Sequence, residues 1–193
     1  MARTKDFDEN DVLAKAVNIF WLKGYNATSM QDLVDGLGIS RSSLYDTYGD
    51  KHTLFLKALE SYQCTNSGKF SCIINSNESA KETIKQLLEF IVGELLNDKS
   101  QKGCFMVNAE VEVALHDKEV SDMIQKNDHG TENAFYKVIR KAQESGELAG
   151  KQDARALARF LFNTVKGIQV MAKSTTERAV FDDIINLAVS VLN

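Results

Sequence analysis

Apolar residues recur along most of this chain at the three- and four-residue spacing of a helix, and no segment holds the alternation of a strand. Leu13, Ala16, Val17 and Phe20 form the first stripe. They predict a helix from about Asp8 to Lys23, with Asp8, Glu9 and Asp11 at its positive end and Gly24 just past its last turn. Thr28 with Gln31 three residues on predicts a capping box. It would open a short second helix that carries Met30, Leu33 and Val34 and ends at Gly36. After a Gly38-Ile39 turn, Ser40 caps a third helix over roughly Arg41 to Tyr48. Gly49 ends it, and Asp50 caps a fourth that carries Leu54, Phe55, Ala58 and Leu59. The polar run TNSGKFSCIINSNES then breaks the pattern and reads as a boundary after about Asn66. Ser79 and Glu82, a second capping box, open a helix with Ile84, Leu87, Leu88, Ile91, Leu95 and Leu96. Further helices are expected over about Cys104 to Leu115, Lys118 to Glu144, Asp153 to Lys173 and Thr176 to Leu192. The expectation is an all-α chain of about nine helices.

The third helix spends its first turn in a way that packing does not explain. Two short helices joined by GLGIS, the second capped by serine, meet the requirements of a helix-turn-helix. Ile39 and Leu44 would root the third helix, leaving Arg41, Ser42, Ser43 and Tyr45 outward on its N-terminal half. Such residues suit a DNA major groove, where arginine bridges guanine O6 and N7 and serine bonds bases or phosphate. Tyr48 and Lys51 lie just beyond, where phosphate would be. The spacing alone also fits an ordinary helical hairpin with a solvated end.

Composition narrows the choice. The chain has no proline, which favours long uninterrupted helices. Its net charge is −4, and its first 60 residues hold seven Lys/Arg against nine Asp/Glu. A polyanion would therefore be bound by placed contacts rather than bulk charge, with a modest dependence on salt. Cys64, Cys72 and Cys104 form no C-x-x-C pair, and the first ten residues are too polar for a signal peptide. With no apolar run near the length of a membrane span, a cytoplasmic protein is expected.

The run from about Val12 to Tyr62 resembles the DNA-binding domain of the tetracycline-repressor (TetR) family of bacterial transcription regulators. The resemblance rests on the Phe20, Gly24-Tyr25 helix end, the Thr28-Ser29 cap and the Gly38-Ile39-Ser40 turn. Leu44-Tyr45, Tyr48 and the Asp50-Lys51 start complete it, with Tyr48 standing where members often have phenylalanine. It implies a helix-turn-helix domain over residues 1–50 and a helical ligand-binding and dimerisation domain over 51–193. It assigns Ser40, Arg41, Ser42, Ser43 and Tyr45 to the recognition helix, and Thr28, Ser29, Tyr48 and Lys51 to the DNA backbone. Asp46, on the same helix, would repel phosphate if it faced it.

The resemblance also implies a homodimer on a palindromic double-stranded operator, released by a small-molecule effector. The last two helices carry wide apolar faces suited to the dimer: Leu157, Phe160, Leu161, Val165 and Ile168, then Phe181, Ile184, Ile185 and Ala188. Polar residues within the middle helices are the effector candidates: Asn108, Glu112, His116, Asn133 and Tyr136. Cys104 joins them, opening a helix after Gly103; related regulators with Gly-Cys there include some that respond to electrophiles or oxidants. A small buried core residue is the other reading of that cysteine.

Two further classes compete. A small helical enzyme has little support, because His52, His116 and His129 are scattered without a metal-binding pair, and no glycine loop for phosphate is present. Neither a metal nor a cofactor is expected. A protein-binding helical adaptor would have no need of Arg41, Ser42, Ser43 and Tyr45.

Overall fold

In the computed structural model, which describes residues 7–76, 78–149 and 152–192, every regular element is helical. The helices are α1 Glu9–Lys23, α2 Met30–Leu37, α3 Arg41–Tyr48, α4 Lys51–Ile74 and α5 Ala80–Asn97. They continue as α6 Phe105–Glu112, α7 Lys118–Glu144, α8 Ala154–Met171 and α9 Arg178–Ser190. The periodicity therefore placed the elements, and the differences lie in how they begin and how far they run.

Two compact units emerge. The first is Met1–Asn66 with Asn108–Ile124, and the second is Ser67–Val107 with Gln125–Asn193. The division expected after residue 50 falls inside the first unit, and the first unit also takes in a segment from the middle of the chain.

In the first unit α1 packs on α2. Val12, Ala16 and Phe20 of α1, Leu33 and Leu37 of α2, and Leu44 of α3 are all buried, with Leu54, Phe55, Ala58 and Leu59 of α4. Phe20 meets Phe55 edge to face with ring centroids 5.1 Å apart. Gly36 does not end α2, as expected, but lies within it. A Cβ there would stand 2.6 Å from Ile19 Cδ1, so this glycine lets α2 approach α1. The helix ends instead at Gly38, in the left-handed conformation.

The capping box of α2 is also shifted by one residue. Ser29, not Thr28, is the cap, and Asp32, not Gln31, is its reciprocal partner. Thr28 is withdrawn from that role because its side chain is buried and its hydroxyl donates to Gly24 O at 2.6 Å.

The boundary expected after about Asn66 coincides with the division between the two units, at Asn66 and Ser67, but the polar run there does not interrupt the helix. Helix α4 passes through it to Ile74, because Phe70, Ile73 and Ile74 supply apolar anchors to the second core. That core is built from Ile84, Leu87, Leu88 and Val92 of α5, Phe135 and Ile139 of α7, and inward faces of α8 and α9. Helix α5 packs on both α8 and α9.

The second core takes up most of the residues expected to form a dimer interface. Leu157, Leu161, Val165, Ile168, Phe181, Ile185 and Ala188 are buried within the chain. They recur at helical spacing on the sides of α8 and α9 that face α5, so they are unavailable to a partner. Of the expected set, Phe160 is exposed and Ile184 half-buried. Val170 and Leu187, absent from that set, are strongly exposed. No described helix is long and apolar enough to cross a membrane.

Candidate DNA-reading site

Helix α3 is held by few residues. Leu44 and Tyr48, one turn apart, are buried, and Ile39 of the preceding turn is buried beside them. Ser40 caps the helix, its Oγ accepting from Ser43 N at 3.1 Å. The same Oγ lies 2.9 Å from Ser42 Oγ and 2.8 Å from Ser43 Oγ. Three hydroxyls thus cluster at the helix N-terminus, where N–H groups and the helix dipole favour an anion.

The opposite side of α3 is open. Ser40, Arg41, Ser42, Tyr45 and Asp46 are exposed, and Ser43 is half-buried. The Arg41 guanidinium carbon lies 6.0 Å from the centroid of the Tyr45 ring. Asp46 stands on this open face, so its carboxylate sits beside the residues expected to read bases.

Two of the residues expected at the DNA backbone are buried within the chain. Tyr48 is only 5% exposed, and its hydroxyl points at Glu9 O, 3.4 Å away. Burial, then the Glu9 charge, raises its phenol pKa above the ordinary value. The ring belongs to the core, as the four-residue spacing from Leu44 requires. Thr28, 1% exposed, is likewise internal. Ser29 remains exposed at the start of α2. Asp32 returns a bond to Ser29 N at 2.9 Å and takes a second from Lys23 Nζ at 2.5 Å. Lys23, then the Ser29 N–H and hydroxyl, hold the Asp32 carboxyl far below the usual carboxylate range.

Lys51 is half-buried and has a structural task. Its Nζ donates to Thr28 O at 2.8 Å and lies 4.3 Å from the centroid of the Tyr25 ring. Burial pushes its pKa below the ordinary lysine value, against the opposing pull of Glu112.

The effector candidates divide. Asn108, Glu112 and His116 fall in the first unit, and Cys104, Asn133 and Tyr136 in the second. Glu112 is committed elsewhere: its Oε2 accepts from Tyr25 N at 3.0 Å and its Oε1 from Asn26 N at 2.8 Å. Its carboxylate fixes the turn between α1 and α2 and is not free for a ligand. His116 is exposed. Asn133 and Tyr136 meet at Arg155, which donates to Asn133 Oδ1 at 2.7 Å and lies 3.9 Å from the Tyr136 ring centroid. The same guanidinium donates to Glu132 at 2.9 Å, so this cluster staples α7 to α8. Cys104 is 7% exposed, which fits the small core residue of the two readings. A cleft of about 290 Å³ lies between α1 and α4, lined by Glu9, Asn10, Leu13, Tyr48, Lys57, Glu60 and Ser61, and includes none of the six.

Comparison with known proteins bears directly on this arrangement. Residues 12–58 match the family described as bacterial regulatory proteins, tetR family. Residues 80–187 match the tetracyclin repressor-like C-terminal domain. The chain is 36% identical to the HTH-type transcriptional regulator YezE of Bacillus subtilis, with all of both chains covered. It is 26% identical to the HTH-type transcriptional repressor ComR of Escherichia coli, over 89% of this chain and 82% of that one. Among solved structures it resembles a cysteine-substituted form of the TetR family regulator CifR in complex with 26 bp operator DNA. That likeness has a TM-score of 0.88 at 26% identity and covers 98% of each chain. A second, FadR from Bacillus subtilis in complex with stearoyl-CoA, shares the fold, with a TM-score of 0.78 at 16% identity over 95% of this chain and 98% of that one. This chain belongs to the TetR family: it is a helix-turn-helix, DNA-binding transcriptional regulator and not an enzyme.

Proposed function

We propose that the chain is a cytoplasmic, homodimeric repressor that reads a palindromic operator through α3 and is released by a small-molecule effector. The observation that carries the reading is the two-sided character of α3. Leu44 and Tyr48 root it, while Ser40, Arg41, Ser42 and Tyr45 stand open on the other side. Arg41 is the base-reading residue, with Ser42 and Tyr45 beside it. Ser29, Ser40 and Ser43 hold phosphate at the two helix N-termini, and Lys51 adds charge behind them. The repressor name of ComR and the operator complex of CifR support this role.

Dimerisation is supported by the apolar positions that the core leaves open. On α8 these are Phe160 and Val170 with Gly167 between them, where a Cβ would meet nothing within 4 Å. On α9 it is Leu187, strongly exposed, with half-buried Ile184 three residues before it. A two-fold pairing of these faces would give a four-helix bundle. Effector control is supported by the stearoyl-CoA complex of FadR; Cys104 and Asn108, at the start of α6, are the residues of this chain to probe first.

Genomic fragments bound by the protein should be selected and footprinted. A short palindrome protected at two half-sites one DNA turn apart is the expected result. Retention of fragments without a shared sequence would overturn the reading.

A further inference from the structure

His52, the second residue of α4, stands between two carboxylates from far along the chain. Its Nε2 lies 2.7 Å from Asp117 Oδ2, and its Nδ1 lies 3.6 Å from Glu119 Oε2. Nε2 is buried, and no aligned hydrogen bond satisfies it. Asp117 uses its other oxygen to cap α7, accepting from Val120 N at 3.0 Å, which leaves Oδ2 turned to the imidazole. A neutral imidazole has one N–H and one lone pair, so either tautomer turns a lone pair toward a carboxylate oxygen. The imidazolium presents a donor to each.

The surroundings are negative on balance. On its own helix and cap the ring has Asp50 and Lys51 as neighbours. From the turn after α1 comes the edge of the Tyr25 ring, with centroids 6.4 Å apart. From α6 comes Glu112, seated on the backbone of that turn, and from the start of α7 come Asp117 and Glu119.

We infer that protonated His52 is a positioning residue for operator reading, tying the start of α4 to the start of α7 and thereby steadying the helix-turn-helix. The junction matters because both helices of the motif hang from it. Helix α3 ends at Tyr48, just before the Gly49-Asp50 link into α4. The entry to α2 is held by Lys51 Nζ on Thr28 O. A head already fixed in this arrangement loses less freedom on meeting DNA. The tie is complete while both ring nitrogens of His52 carry protons, and losing one of them leaves a lone pair facing a carboxylate. Asp117 stays ionised near neutral pH: burial alone would raise its pKa, but the Val120 N–H and the imidazole outweigh it and hold the carboxyl below its ordinary value.

This inference rests on α3 being the operator-reading helix. Its test is operator affinity at about pH 6 and about pH 8 at fixed ionic strength. The probe is the palindromic duplex recovered by genomic selection. The proteins are the parent chain, His52→Gln, and a His116→Gln, His129→Gln control that removes the two other, exposed histidines. Added positive charge strengthens DNA binding at low pH in all of them, so the difference between variants is the readout. The parent and the control should each gain roughly twofold to fivefold more on acidification than His52→Gln, the range that a partly exposed ion pair supplies. The Val120 amide resonance should follow the His52 ring titration in the free protein. Equal pH dependence in His52→Gln and the parent, or a Val120 amide indifferent to the ring, overturns the inference. Failure of any protein to bind the duplex at either pH overturns the reading of α3 instead, while the Val120 amide still reports whether the contact forms.

Discussion

Glu112, the last residue of α6, places its two carboxylate oxygens on the backbone N–H groups of Tyr25 and Asn26, 87 and 86 residues away in sequence. The carboxylate passes so close to the chain that a Cβ on Gly24 would stand 2.6 Å from Glu112 Oε2. Gly24 also sits at φ +82°, so the position demands glycine twice over. The turn that separates α1 from α2 is therefore set by a residue from the middle of the chain.

Removing that carboxylate should leave two N–H groups without their partner. Glu112→Ala is expected to cost about 1–3 kcal/mol of stability, read by denaturant unfolding. Gly24→Ala should also destabilise, and the two changes together should cost less than their sum, because the shortened side chain removes the clash. Additive losses would show that Glu112 and Gly24 act independently.

The capping box of α2 gives a pH prediction. Asp32 has its pKa lowered by Lys23 and Ser29, so the folded state binds that proton less readily than the unfolded chain. The associated stability is present above the ordinary carboxylate value of 3.8 and is lost as pH falls through the lowered folded value. Thermal unfolding of the parent and Asp32→Asn should converge as pH falls below 3.8. A gap that stayed constant to the lowest pH would contradict the assignment.

Tyr48 separates packing from DNA contact. Tyr48→Phe should leave operator affinity and its salt dependence close to the parent, because among the described residues the hydroxyl has one long hydrogen bond, to Glu9 O. Tyr48→Ala should cost about 3–5 kcal/mol of stability, as for other buried aromatic residues. A Tyr48→Phe variant that lost affinity without losing stability would restore the ring to the DNA interface.

The exposed faces of α8 and α9 predict oligomeric state. Leu187→Glu or Phe160→Glu should yield folded monomers by sedimentation, whereas Leu161→Ala should lower stability by about 2–5 kcal/mol through a cavity in the chain's own core. Dimers that survive both charge substitutions would exclude this face.

How much of this was legible in the sequence differs by element. Helix positions were, because sets such as Ile84, Leu87, Leu88, Ile91 and Leu95 repeat at three- and four-residue intervals and mark one face of α5. The α2 cap was not, because Thr28 with Gln31 and Ser29 with Asp32 satisfy the same local pattern; burial of Thr28 decides between them. The apolar width of α8 and α9 was visible, but a pattern cannot divide Leu161 from Phe160 between an inner and an outer face until α5 is in place. The ties of Glu112 to Tyr25 and of His52 to Asp117 join residues more than 60 positions apart, and nothing local signals either.

The most direct test of α3 as the reading helix is selection from randomised duplexes by the parent and by Arg41→Ala, with affinities measured on the recovered sequences. The parent should enrich one palindrome. Arg41→Ala should bind it about 1–3 kcal/mol more weakly and lose its preference at one position in each half-site, the others being kept. An unchanged preference at every position would contradict the account.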